Sequence, residues 1–598
     1  MANLTISLLG VPRIEDANGR TPELKGKKGW ALLAYLLLSD RPRSRAHLAE
    51  LLFASADDPL GALRWNLSQL RGALGMREAL RGSEIAIQLQ PRTVVDIEVL
   101  TRGTWTESIR VRGLGSELLE GMSFPSDPVF DAWLSMERSR IRSIEMSVLR
   151  GAAAACLGTG RPDMATDLAS RALAIDRFDE GAHELLIRSL AVAGLREKAQ
   201  LALDRCTQLF KEDLQVELSP TLKAAVNEDA APRVASGSQG RSASAQLELG
   251  RSAINAGAIE TGIESLRGAV WAAEQGSDEA LLAECLLALA YSLIHSVRGR
   301  DGEASALLHH ALGLAQANSM SRVAAECLRE LGYVEMLVGS YDRAMASFDR
   351  ALAMEAMDEG GRAWTIAYQA LSYSDTGRYE KAVACLEACL ASEAGEVVRQ
   401  KAYALCLLGR IQMLRGQLQE ARSSLEKSIS LATGCGWTAL LPWPRALLAE
   451  VELLQGAPLP GVRARLDHAL SLARQIGDPC WEGAAMHGLG LVEAAAGRPD
   501  TAAACLADAS TVCTRFPDSY LWMKAYVLDA LCDLATRYPG GDPDRWITDL
   551  QNLSARSGMT EFLARSYLYR GRAGDQDALM VARMISREVD NPSLAALF

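Results

Sequence analysis

Read from the N-terminus, the rhythm of apolar and polar positions changes twice. "LTISLLG" and "PRIED" are short apolar or alternating runs that predict two strands. "GWALLAYLLLSD" (29–40) and "SRAHLAELLF" (44–53) carry the spacing of helices, the second opened by Ser44 as its N-cap. A third helix is predicted at "DDPLGALRWNLSQLRGALG" (57–75), where Leu60, Leu63, Leu67, Leu70 and Leu74 form one apolar stripe. Asp57 or Asp58 supplies its cap, and Pro59 falls in the first turn, where a missing N–H costs nothing. "SEIAIQL" and "RTVVDI" then predict a hairpin. Strands, three helices and a hairpin give the order of a winged helix-turn-helix with an N-terminal sheet.

From about residue 101 onward the pattern is almost wholly helical. "RVASGSQGRSASAQ" (233–246) is rich in Ser and Gly and marks a linker. Beyond it a repeat sets the architecture. In "LGYVEMLVGSYDRAMASFDRAL" (331–352), Gly332 falls on a first helix, Gly339 on a turn, and Ala344, Phe348 and Ala351 on a second helix, as in tetratricopeptide units. The turn glycine recurs as Gly257, Gly299, Gly339, Gly377, Gly416, Gly456 and Gly497, at gaps of 38 to 42 residues. Ala304, Ala344, Ala382, Ala421 and Ala502 each follow their glycine by five. The expected fold class is mainly α, in three parts joined by a linker. Residues 1–100 form the α+β winged helix-turn-helix, 101–228 an all-α tetratricopeptide-like domain, 229–246 the linker and 247–598 a tetratricopeptide superhelix.

Composition refines this picture. A chain of 598 residues exceeds one core, so several domains are expected. The N-terminus lacks the basic and small-residue features of a signal peptide, and no long unbroken apolar run suggests a membrane span. Twelve scattered cysteines fit a reducing, cytoplasmic setting. The net charge of −11 argues against coating nucleic acid along the whole length, but residues 1–100 carry thirteen Lys/Arg against eleven Asp/Glu. A mildly basic front on an acidic body suits one localised anionic partner.

Enzyme chemistry finds no constellation. There is no phosphate-binding Gly-x4-Gly-Lys-[Ser/Thr] loop, no Gly-x-Ser-x-Gly, no His-Glu-x-x-His and no Cys-x-x-Cys, so no catalytic group, metal or cofactor is expected. Cys385 and Cys389 share a helical face, but Cys389 takes the small-residue place that Ala351 holds one repeat earlier. The adjacent His309 and His310 diverge on a helix and read as structural.

The third helix carries the sharper candidate. Its polar side presents Arg64, Trp65, Asn66, Ser68, Gln69 and Arg71, either a solvated face or a row aimed at base-pair edges. Arg pairs with guanine through two hydrogen bonds, and Asn or Gln with adenine. Lys25, Lys27 and Lys28 before the first helix, and Arg41, Arg43, Ser44 and Arg45 around the second, are candidate phosphate anchors. Arg81, at the hairpin, is placed to reach an adjoining minor groove. The rival reading is a scaffold whose winged domain binds protein instead of DNA.

The first 228 residues resemble the SARP-type bacterial regulators, an OmpR-like winged helix followed by a bacterial transcriptional activator domain. The resemblance lies in "KKGWALLAYLLLS", "SRAHLAELLF", "ALRWNLSQLRGAL", "ELLEGMSFPSDPVFDAWLSMERSRIR" and "ALAIDRFDEGAHELLIRSLAVAGLREKAQLALDRCTQLFKEDLQVELSP". It implies a transcriptional activator whose third helix, here Arg64 through Arg71, reads double-stranded promoter DNA. It also implies that the loop Phe53 to Asp58 meets RNA polymerase holoenzyme, and that the activator domain is built of three tetratricopeptide-like helix pairs. Larger members often insert an ATPase, for which this chain has no phosphate loop. Members often carry more base in the third helix than here, which raises a homodimer or tandem sites as the source of affinity. The C-terminal superhelix would then offer its concave face to a peptide, protein or small ligand.

Overall fold

The computed structural model describes residues 4–597 except 23, 40, 77–79, 81, 215–217, 219–221, 224, 228–241, 256, 298, 392–396, 517–518 and 539–541. Strand β1 (Leu4–Ser7) pairs antiparallel with β2 (Arg13–Asp16) and parallel with β5 (Thr93–Val95), Ile6 standing opposite Ile14 and Val95. Helices α1 (Lys27–Leu38), α2 (Arg45–Phe53) and α3 (Pro59–Ala73) pack on this sheet. A second small ladder joins β3 (Arg43–Ser44) to β4 (Glu84–Ile85).

This corrects the predicted hairpin. "SEIAIQL" and "RTVVDI" do not pair with each other: the first meets the chain before α2, the second meets β1. Asp96 accounts for the second choice. Its buried carboxylate accepts the N–H groups of Leu8 and Leu9 at 2.7 and 2.8 Å, and that of Ile97, where α4 (Asp96–Arg102) begins. One side chain, at the junction of strand and helix, thus fastens both to β1.

A short helix α5 (Trp105–Ser108) leads to α6 (Pro128–Gly158), 31 residues and roughly 46 Å long. Phe130, Leu134, Ile141 and Val148 of α6 belong to the winged-domain core, whereas Leu149, Ala152 and Ala153 pack with α7 (Pro162–Ile175) and α8 (Glu180–Val192). Arg138 on α6 donates to the carbonyls of Leu118, Leu119 and Met122, each at 2.9 Å. Helix α9 (Arg196–Leu209) completes a second pair with α8, in keeping with the helix pairs expected of this domain.

The expected linker begins outside the described residues, but its last four residues are helical: Ala243–Asn255 is a helix whose Ala245 N–H bonds to Ser242 Oγ. From there antiparallel helix pairs continue to the C-terminus. All seven turn glycines take positive φ, between 74° and 83°, a conformation costly for residues with a Cβ. The five alanines that follow are fully enclosed. At Gly332 a Cβ would sit 2.6 Å from the Phe348 ring, so the missing side chain is what lets the paired helices meet. Helix Glu279–Ser296 reaches the length and mean hydropathy of a membrane span, with 56% of it buried inside the repeats. Neighbouring repeat helices on more than one side select that apolar composition.

Candidate nucleic-acid interface

The geometry starts from how α3 is anchored. Asp58 caps it by accepting the Gly61 N–H at 2.8 Å, and a Cβ on Gly61 would collide with that carboxylate at 2.2 Å. Leu63, Leu67, Leu70 and Ala73 are buried against α1 and α2. Leu60 departs from the predicted stripe: it is 47% exposed, because it lies in the first turn, ahead of the helices that cover the rest.

Arg64, Trp65 and Ser68 are exposed along one flank of α3, with Gln69 and Arg71 half-buried beside them. Trp65 is 50% exposed, an unusual cost for so large a ring. Arg64 meets Asp58 at 3.4 Å, with both side chains open to water, so the pair leaves the guanidinium accessible. Asn66 stands apart from this row. It is 6% exposed, donates from Nδ2 to Ala62 O at 2.9 Å, and its Oδ1 faces the first turn of α1 near Gly29. A position three residues after Leu63 and one before Leu67 lies within the buried arc, not opposite it.

The expected phosphate anchors separate into several groups. Lys27, like Lys25, is exposed at the start of α1. Lys28 is engaged instead: Nζ lies 2.9 Å from the buried Asp127 carboxylate and over the Phe53 ring. Arg45 holds the chain before β4, donating to Gly82 O at 2.6 Å and Leu80 O at 3.4 Å. Ser44 Oγ caps α2 by accepting the His47 N–H at 3.2 Å, its own hydroxyl hydrogen still available to an acceptor. Arg43 bonds to Glu588 and lies 5.6 Å over Tyr35, while Arg41 meets Asp590 at 2.8 Å. Arg81 lies outside the described residues.

Around Arg43 the electrostatics are shaped by burial. Tyr35 Oη and His47 Nε2 stand 2.8 Å apart. Burial pushes the Tyr35 hydroxyl up to about 12, and burial followed by the nearby Arg43 charge lowers His47. The engaged acids Glu588 and Asp590 lie some 545 residues from their partners. No local pattern links residues that far apart.

Of the remaining sequence candidates Cys389 is packed, while Cys385, His309 and His310 are half-buried. Cys389 is 1% exposed, its thiol pushed up to about 11 by burial. His309 is pushed down to about 4 by burial and then by Arg343 and Arg350. Among the described residues no group of three or more His, Cys, Asp or Glu is placed to hold a metal.

Comparison with known proteins agrees with this architecture. Residues 98–228 match the bacterial transcriptional activator domain, and residues 369–394 and 402–434 match the tetratricopeptide repeat. Both are regulatory or scaffold modules rather than enzymes. No curated protein matches the chain. Among solved structures, Mycobacterium tuberculosis EmbR in complex with a low-affinity phosphopeptide aligns at 17% identity and TM-score 0.31, covering 38% of this chain and 65% of that one. A Rap protein complexed with Competence and Sporulation Factor aligns at 12% identity and TM-score 0.44, covering 60% of this chain and 99% of the other. Yeast Tom70 aligns at 12% identity and TM-score 0.30, covering 69% and 92%. In domain content the chain is similar to the SARP-type regulators, with a bacterial transcriptional activator domain at residues 98–228 followed by tetratricopeptide repeats.

Proposed function

We propose that the chain is a sequence-specific, DNA-binding transcriptional activator of the cytoplasm. It reads the major groove of promoter DNA with α3, meets RNA polymerase through the Phe53–Asp58 loop, and uses its repeat superhelix as a sensor or docking surface. The observation that carries this reading is the division of α3: a buried leucine stripe grips α1 and α2 while Arg64, Trp65 and Ser68 stay open on the other flank. The position of this winged domain directly before the activator domain supports the same conclusion.

The test is selection of DNA by the full chain from a random duplex pool, with affinity followed against salt. The parent selects a sequence and weakens steeply as salt rises. Arg64→Ala and Arg71→Ala each cost about 1–3 kcal/mol at particular base positions. Binding indifferent to salt and to both substitutions would leave α3 as a protein-binding face.

A further inference from the structure

Arg41 and Arg43 flank the entry to α2, and both are held by acids from the far end of the chain. Arg41 Nη2 donates to Asp590 Oδ1 at 2.8 Å, and Arg43 Nη1 donates to Glu588 Oε1. Those acids follow helix Gln576–Ser586 and are presented from a rigid shelf. The Asp590 N–H bonds to Gly377 O at 3.2 Å, and Val589 packs against Gly377 itself. Asn591 Nδ2 donates to Leu414 O at 3.2 Å and to both oxygens of the buried Glu561. Just upstream, Met584 packs at once on the repeat core and on the winged-domain core.

In a helix-turn-helix the first helix of the pair crosses the DNA backbone, and cations around it anchor phosphates. A guanidinium donor committed to a carboxylate is not available to a phosphate oxygen. The carboxylates also bring negative charge to where a strand would lie. The reading row of α3 is not covered by this shelf, since Arg64, Trp65 and Ser68 remain exposed.

We infer that the Glu588–Asp590 shelf is an autoinhibitory latch, which must leave Arg41 and Arg43 before the winged domain seats fully on duplex DNA. The inference rests on the DNA-binding reading above and concerns its regulation. The latch holds back anchoring, a sequence-independent step, and leaves base reading untouched. Two partly exposed ion pairs make it weak enough for DNA to displace.

The test uses the full chain with Glu588→Gln and Asp590→Asn together, against a mixed-sequence duplex of about 30 base pairs, roughly three helical turns. Relative to the parent, the double variant binds roughly 3- to 10-fold tighter at low salt. The slope of log affinity against log salt steepens by about 2, one unit per freed cation. Without DNA, amide exchange across residues 41–47 speeds up. The charge-swapped Arg43→Glu/Glu588→Arg chain keeps that segment protected, which guards against reading misfolding as release. Equal affinity and equal slope for parent and double variant, with Arg64→Ala still weakening both, overturns the latch and leaves the DNA-binding reading standing. Faster exchange at 41–47 with no duplex binding by either chain overturns the DNA-binding reading, and with it the latch as a control on DNA.

Discussion

The Arg410 guanidinium and the Asp375 carboxylate, neither exposed to water, meet at 2.7 Å inside the repeat superhelix. Tyr520 and Tyr341 donate their hydroxyls to the same carboxylate, and Arg410 lies 4.2 Å from the Trp522 ring centre. Burial raises Asp375, and Arg410 opposes that most strongly. Removing one partner leaves an uncompensated buried charge. Arg410→Met is therefore expected to destabilise the repeats by about 3–5 kcal/mol, read from the denaturant midpoint. Arg410→Met with Asp375→Leu should recover part of that loss.

Arg343, 7% exposed, joins the front of the chain to the repeats. Its Nη1 donates to Leu100 O at 3.1 Å, with Gly103 O and Ser108 Oγ at 3.4 Å. Arg343→Met orphans these acceptors at about 1–3 kcal/mol. Faster amide exchange across residues 97–108, with the rest of the winged domain unchanged, is the expected readout.

Gly158, at the end of α6, touches repeat helix Asp301–Ala317 so closely that a Cβ would fall 2.2 Å from Ala306 O. Backbone is what it meets, so Gly158→Ala forces the two segments apart, at about 1–3 kcal/mol or more. Gly72→Ala in α3 provides the contrast. Nothing lies within 4 Å of its Cβ, and the better helix former should stabilise by up to about 1 kcal/mol. Thermal unfolding of both variants checks the pair of signs.

Glu450 and His487 lie together in the repeat interior, with Tyr526 donating its hydroxyl to Glu450. Burial pushes the Glu450 carboxyl from 4.5 up to about 7 and His487 from 6.5 down to about 3. For Glu450 the folded state holds its proton more tightly, so its contribution is complete below 4.5 and is lost as pH rises to about 7. For His487 the unfolded state takes the proton first, so its contribution is lost as pH falls from 6.5 toward 3. The two slopes oppose each other between 4.5 and 6.5. Glu450→Gln removes one of them, and its melting temperature should rise with pH across that window more steeply than the parent's.

Much of the fold was legible because it rests on local periodicity. The leucines at 63, 67 and 70 face inward as their spacing predicted, and each repeat glycine adopts the turn its recurrence implied. The departures have two physical origins, one local and one long-range. Asn66 falls within the buried arc of α3, where its amide finds Ala62 O, and the predicted hairpin yields to Asp96, whose carboxylate reaches Leu8 and Leu9 across 88 and 87 residues.

The sequence by itself determined the helices and the repeat register, since backbone hydrogen bonding and burial of one helix face are decided within a few residues. Only the tertiary structure decided which cations are engaged. Lys28 is fixed by Asp127, Arg45 by Gly82 and Leu80, and Arg41 and Arg43 by acids about 545 residues away. A charge carries the same sign along the chain whoever its partner is, and the fold alone brings Glu588 and Asp590 to the entry of α2.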